Sequence, residues 1–299
     1  MKRLIFTYGT LMKGQCRNSV LDNSKYVCDA ILDDYGIYET GSYPAAVPVK
    51  GFRVYGEVYE IDDSLKPLLD QIEGEGSLYE YKEVLVHDKD NREYKVGFYE
   101  YLLSTEDLPL RLPDGKWTIL RQDISNNYAW YACYGSNLCQ ERFDLYLRDI
   151  DGKAYAQRKY IFDNKIYFAR KAPNWFSQGV CFLDLREKGK SYGWMYLIKQ
   201  EDVIKLSIEE GSNWYPIQDL GKDDFGIDIK TVTLKDRIDP YNKASEDYYT
   251  IIAKGLQDRY NLTINQINEY LETSIEYDLS KEHIKKILDE YEKRKHIKR

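Results

Sequence analysis

Tyr8-Gly9-Thr10-Leu11 and Tyr134-Gly135-Ser136-Asn137-Leu138 decide how this chain is read. Each stretch follows a short apolar run, Leu4-Ile5-Phe6 in one case and Trp130-Tyr131-Ala132-Cys133 in the other. Each is followed, well downstream, by an acidic residue abutting glycine in a matching frame. The first is Leu69-Asp70-Gln71-Ile72-Glu73-Gly74 and the second Leu206-Ser207-Ile208-Glu209-Glu210-Gly211. The Tyr-Gly motifs lie 134 − 8 = 126 residues apart and the glutamates before glycine 210 − 73 = 137. Two similar offsets imply two homologous modules in tandem, with a few residues inserted in the second.

A chain of 299 residues accommodates two domains of ordinary size, and 43% apolar residues is a normal globular share. No apolar run reaches the length needed to span a membrane, and the residues after Met1-Lys2-Arg3 do not form a cleavable leader. The expected location is cytoplasmic, with no membrane partner. The net charge of −7 argues against a nucleic-acid partner, which would want a basic face. Cys16, Cys28, Cys133, Cys139 and Cys181 form no Cys-x-x-Cys pair, so reduced thiols are expected and neither a metal nor another cofactor. The 29 tyrosines suit strand-rich domains, where the ring packs and the hydroxyl stays wet. Of the three histidines, only His87 falls within a module, while His283 and His296 lie in the charged C-terminal stretch. Acid–base chemistry is therefore expected to rest on carboxylates.

The first module is expected to run over residues 1–122, with strands at Leu4–Tyr8, Arg53–Ile61, Tyr79–Val86 and Tyr94–Leu103. Gly41-Ser42-Tyr43-Pro44 reads as a turn. Leu65, Leu68, Leu69 and Ile72 fall at helical spacing, which puts Glu73 at a helix C-terminal end broken by Gly74. A polar joint over 121–127 leads to a second module over 128–299. Its strands are expected at Tyr128–Tyr134, Lys165–Arg170, Gly179–Leu185, Tyr192–Ile198 and Asp228–Leu234, and a helix over Asp202–Ile208 leads into Glu209-Glu210-Gly211. The remainder is helical. Ser245 caps a helix carrying Tyr248, Ile251, Ile252 and Leu256, and Thr263 with Gln266 makes a capping box. A last helix carries Ile284, Ile287, Leu288 and Tyr291.

A strand that ends in glycine and small polar residues exposes consecutive backbone N–H groups, which can cradle an anion or a developing oxyanion. A glutamate between an apolar helix face and a glycine is placed for partial burial, which raises its pKa toward neutrality and suits it to shuttle a proton. One such turn or one such glutamate would be a plain strand end or a surface acid; their joint recurrence favours function. Glu210 is preferred over Glu209 because it abuts Gly211 as Glu73 abuts Gly74.

Together with Gly41-Ser42-Tyr43-Pro44-Ala45 and Val54-Tyr55-Gly56-Glu57-Val58-Tyr59, the first motif set resembles the AIG2-like, γ-glutamylamine cyclotransferase branch of the gamma-glutamylcyclotransferase-like superfamily. The second set, with Gly193-Trp194-Met195-Tyr196 and a helix carrying Tyr248, Ile251, Ile252 and Gly255, resembles the γ-glutamyl cyclotransferase branch. The resemblance implies an α+β fold of two tandem small mixed β-barrels with peripheral helices, plus C-terminal helices. It implies a γ-glutamyl small-molecule substrate whose α-amino group attacks its own γ-carbonyl, releasing 5-oxoproline and an amine or amino acid without a cofactor. Glu73 and Glu210 would be the catalytic acid/bases. Tyr8, Gly9, Thr10, Leu11 and Tyr43 would bind substrate in the first module, and Tyr134, Gly135, Ser136, Asn137, Leu138 and Tyr248 in the second. Either module, or both, would turn over. Two other classes stay open: a binding protein that keeps the cavities without turnover, and an interaction scaffold, which requires an exposed apolar stripe on the last helix.

Overall fold

The alternation Val54-Tyr55-Gly56-Glu57-Val58-Tyr59 lies in the middle of a strand far longer than its pattern announces. In the computed structural model, which describes residues 2–111, 115–117, 127–224, 226–236 and 240–296, this strand (β3) runs Pro44–Asp62. The expected joint, apart from Asn127, and the expected module end at Gln122 lie outside the described residues. The chain divides into two compact units, one of residues 1–126 with 154–158 and one of 127–153 with 159–299.

In the first unit, β1 (Lys2–Thr7) lies antiparallel to β3 and parallel to β5 (Glu93–Tyr101). β4 (Tyr79–His87) pairs antiparallel with β5, and β2 (Lys25–Glu39) with β3. A contact of β2 with β4 at Ile31 and His87 closes the five strands into a barrel. Its interior is filled by alternate residues of each strand, among them Phe6, Ile37, Val54, Val58 and Phe98. Gly56 is required where β3 crosses β1, because a Cβ there would stand 2.1 Å from the Thr7 carbonyl oxygen and 2.7 Å from the Phe6 ring. Helix α1 (Lys66–Glu73) starts with proline in its first turn and ends at Gly74, whose left-handed backbone (φ 62°) stops it. A short β6 (Leu110–Arg111) pairs with Tyr38 of β2 and with Ala156 and Gln157.

The second unit repeats the order of connections. Strand β7 (Tyr128–Cys133) lies antiparallel to β9 (Gln178–Lys199) and parallel to β11 (Asp228–Val232), as β1 lies between β3 and β5. β9 feeds helix α3 (Gln200–Glu210) as β3 feeds α1. β8 (Ala156–Ala172) flanks β9, and β10 (Ile217–Lys222) flanks β11. Between β7 and β8 lies α2 (Gln140–Asp149), where Phe143 stacks on Tyr196 at 4.0 Å between ring centroids.

Three more helices follow. α4 (Glu246–Tyr260) is capped by Ser245, and α5 (Ile264–Leu271) starts with the expected capping box of Thr263 and Gln266. α6 (Lys281–His296) buries the stripe Ile284, Ile287, Leu288 and Tyr291, each 6% exposed or less. The exposed stripe that an interaction scaffold requires is therefore not there. Among the described residues, no helix is long and apolar enough to cross a membrane. The fold is α+β, with a closed small barrel in the first unit.

Candidate active sites

Each unit contains a cavity where the Tyr-Gly segment meets the end of a helix. In the first unit, Tyr8, Gly9, Thr10 and Leu11, coming directly off β1, form one wall. Tyr43 and Pro44 of the β2–β3 turn and Glu73 at the end of α1 face them across about 100 Å³. Gly9 passes so close to Pro44 that a Cβ would fall 2.3 Å from its Cγ, so only glycine permits this approach. The segment folds by spending its carbonyls inside the protein: Met12 N–H donates to the Gly9 oxygen at 3.0 Å and Arg17 N–H to the Thr10 oxygen at 2.9 Å. The Tyr8 hydroxyl donates to the Tyr99 carbonyl at 2.7 Å, tying the loop to β5. Burial pushes the Glu73 carboxyl up to about 7, with the Arg17 cation pulling the other way.

The second cavity is larger, about 240 Å³. Tyr134, Ser136 and Asn137 of the turn after β7 line it, with Glu210 at the end of α3 and Tyr248 from α4. The Tyr134 hydroxyl donates to the Val232 carbonyl of β11 at 2.8 Å, the counterpart of the Tyr8–Tyr99 bond. Glu210 Oε1 accepts from the Tyr131 hydroxyl at 2.8 Å and from Asn137 Nδ2 at 3.0 Å. Burial raises the Glu210 carboxyl above the ordinary glutamate value; the Tyr131 hydrogen bond, the Arg142 cation and the Asn137 amide oppose it. The Tyr248 hydroxyl accepts from Cys181 N–H at 3.2 Å, which fixes its ring beside the turn.

Of the residues expected at the sites, Gly135 and Leu138 do not line the cavity. Gly135 has a left-handed backbone (φ 61°) with no room for a side chain beside Cys181, and Leu138 is buried under α4. Of the tandem acids, Glu210 lines the cavity, whereas Glu209 ion-pairs with Lys295 of α6. Where the first unit has Asp70, accepting from the Tyr99 hydroxyl at 2.7 Å, the second has Ser207, donating to the Tyr215 carbonyl at 2.7 Å. His87 stands outside both cavities, with its Nε2 2.9 Å from Asp33. Sequence reasoning missed Arg17 and Tyr79 in the first cavity, and Tyr131, Arg142, Tyr146, Trp175, Trp214 and Tyr291 in the second. None of these carries a motif. Only the Tyr-Gly segments and the Glu73-Gly74 and Glu210-Gly211 junctions marked where to look.

What the arrangement can do chemically follows from its groups. A half-buried carboxylate with raised proton affinity faces a loop rich in backbone donors, in a space that holds a small molecule. This suits proton transfer at a polarised carbonyl.

Comparisons with known proteins match the part of the chain that holds the first cavity. The family described as "Gamma-glutamyl cyclotransferase, AIG2-like" matches residues 5–119. The Gamma-glutamylcyclotransferase family protein YtfP of Escherichia coli (strain K12) is 39% identical over 75 residues, 25% of this chain and 66% of that protein. The match thus spans just under two thirds of that relative's length. The Citrobacter rodentium protein of the same description is 33% identical over 113 residues, 38% of this chain and 93% of its own. Among solved structures, YkqA from Bacillus subtilis is 21% identical and covers 93% of this chain and 100% of its own, with a TM-score of 0.35. With a relative matched over nearly its full length at one residue in three, this chain belongs to the gamma-glutamylcyclotransferase family.

Proposed function

We propose that the chain is a tandem γ-glutamyl cyclotransferase, with one module over 1–122 and a second over 128–299, each bearing a site. The observation that carries this reading is the repeated placement of a single half-buried glutamate, Glu73 and Glu210, at a helix end across a small cavity from a Tyr-Gly turn. In each site the α-amino nitrogen of a γ-glutamyl compound attacks its own γ-carbonyl carbon. The new C–N bond closes a five-membered ring while the bond to the leaving amine breaks. The glutamate takes the proton from the attacking nitrogen and returns it to the departing one. Loop amides, Gly9 to Leu11 in one site and Ser136 and Asn137 in the other, hold the substrate and polarise its carbonyl.

The nucleophile is part of the substrate, so the site needs only to fold it into a near-attack shape. For well-oriented intramolecular attack this is worth about 10⁵ M or more in effective molarity. A placed acid/base adds roughly 10²–10⁴-fold. Glu73, raised to about 7, is matched to that role near neutral pH.

The test is product analysis with a panel of γ-glutamyl amino acids and amines. The reading expects 5-oxoproline and free amine in equal amounts, with no free glutamate. Free glutamate would mean hydrolysis by water. Binding without any product would put the chain among binding proteins that keep the fold.

A further inference from the structure

The wall of the second cavity contains a cation that the protein itself leaves incompletely paired. Arg142 of α2 is 1% exposed. Its guanidinium carbon lies 4.0 Å from the centroid of the Tyr146 ring and 4.0 Å from that of Tyr291. Nη2 donates to the Tyr291 hydroxyl at 2.7 Å, but Nε and Nη1 are buried with no hydrogen-bond partner. Arginine never sheds its charge, and a desolvated guanidinium with open donors is costly unless an anion meets it. No described carboxylate forms an ion pair with it: Glu210, in the same cavity, directs Oε1 to Tyr131 and Asn137 instead. The first cavity is different. Its Arg17 is exposed and donates to the Ile72 carbonyl at 3.2 Å.

We propose that Arg142 is the carboxylate-binding residue of the second cavity, its unpartnered Nε or Nη1 donating to a substrate carboxylate while Tyr146 and Tyr291 hold the guanidinium plane. Nε–H and Nη1–H leave the guanidinium on different edges, so two-point donation to one carboxylate pairs one of them with the Nη2 hydrogen that Tyr291 does not take, a geometry an ammonium does not offer. The substrate class is taken from the cyclotransferase reading above. A γ-glutamyl amino acid offers two carboxylates with this chemistry. One is the α-carboxylate retained in 5-oxoproline; the other is that of a leaving amino acid. The sandwich also gives the C-terminal helix a part in the site, because Tyr291 comes from α6.

The test is ligand titration of the full chain, followed through tryptophan emission, since Trp175 and Trp214 line this cavity. The probes are 5-oxoproline against its carboxamide and alanine against alaninamide, on wild type, Arg142→Gln and Arg142→Lys. At least one carboxylate should bind wild type more tightly than its amide. Arg142→Gln should weaken it roughly ten- to hundredfold, and Arg142→Lys should restore part of the loss. Dependence in the 5-oxoproline arm assigns the α-carboxylate, and dependence in the alanine arm the leaving group. Equal binding of acid and amide, unchanged binding in Arg142→Gln, or no binding of either carboxylate to wild type overturns the proposal and leaves Arg142 a packing cation. If Arg142→Gln fails to fold by near-ultraviolet circular dichroism, the acid–amide contrast on wild type and Arg142→Lys decides alone. Arg142-dependent carboxylate binding in a protein that releases no 5-oxoproline would retain the subsite while removing the cyclotransferase reading.

Discussion

Glu73 and Glu210 occupy matching helix ends in different electrostatic company. Glu210 has two neutral donors and a buried cation that favour its charged form, whereas Glu73 has only the Arg17 charge against its burial. The folded-state carboxyl of Glu73, at about 7, stands above its ordinary 4.5. The folded chain therefore binds more protons than the unfolded one between those values. Stability from the neutral Glu73 is fully present below about pH 4.5 and is lost as pH rises through 7. Glu73→Gln cannot ionise and should escape this loss. Between pH 5 and pH 8 it should gain about 1–3 kcal/mol relative to wild type, as read by urea unfolding at the two pH values. An equal difference at both would mean that Glu73 is solvated like a surface acid. The position of both glutamates was legible because glycine stops each helix behind them. The tyrosines and arginines around them were not, because each reaches its cavity through tertiary packing that no local pattern encodes.

Helix ends were the most readable elements. Ser245, Thr263 with Gln266, and Gly74 act through neighbours three or four residues away, so their chemistry is complete within the sequence. Strands were harder to read. β2 escaped notice because Asp29, Asp33 and Asp34 interrupt its apolar pattern, and Asp34 takes a left-handed backbone (φ 58°) at a bulge opposite β3. β9 reads as two strands because Arg186-Glu187-Lys188-Gly189-Lys190 is polar, yet the strand continues through it with alternating exposure. α2 went unread as well. Its buried Phe143, Tyr146 and Leu147 are interleaved with charged residues. At this scale Gly255 is the sharpest test. It lets α4 lie against the turn at 135–138, where a Cβ would meet backbone and side chain of Leu138 and the Cys139 nitrogen at 2.5 Å. Gly255→Ala should destabilise the second unit by about 1–3 kcal/mol. In calorimetry, the second unit's transition should fall while the first unit's holds. A shift in neither would mean that α4 does not need this contact.

For the molecule as a whole, the repeat visible in two Tyr-Gly motifs returns as a repeat of connections. In each unit the strand before the motif lies between an antiparallel partner that feeds the glutamate-bearing helix and a later parallel strand. Offsets of motifs preserved that order, whereas the C-terminal helices, which have no counterpart among the described residues of the first unit, were legible only as elements. Their burial, and the entry of Tyr291 into the second cavity, depend on surfaces far away in sequence. The central claim is that two glutamates, one per unit, each run a cyclisation. It is tested most directly by the rate of 5-oxoproline release from γ-glutamyl compounds in wild type, Glu73→Gln, Glu210→Gln and the double variant. Each single variant should retain the release belonging to the other site, and the double variant should fall by roughly 10²–10⁴-fold. Release by the folded double variant at the wild-type rate would contradict the assignment of both glutamates, and loss of all release in one single variant would reduce the two sites to one.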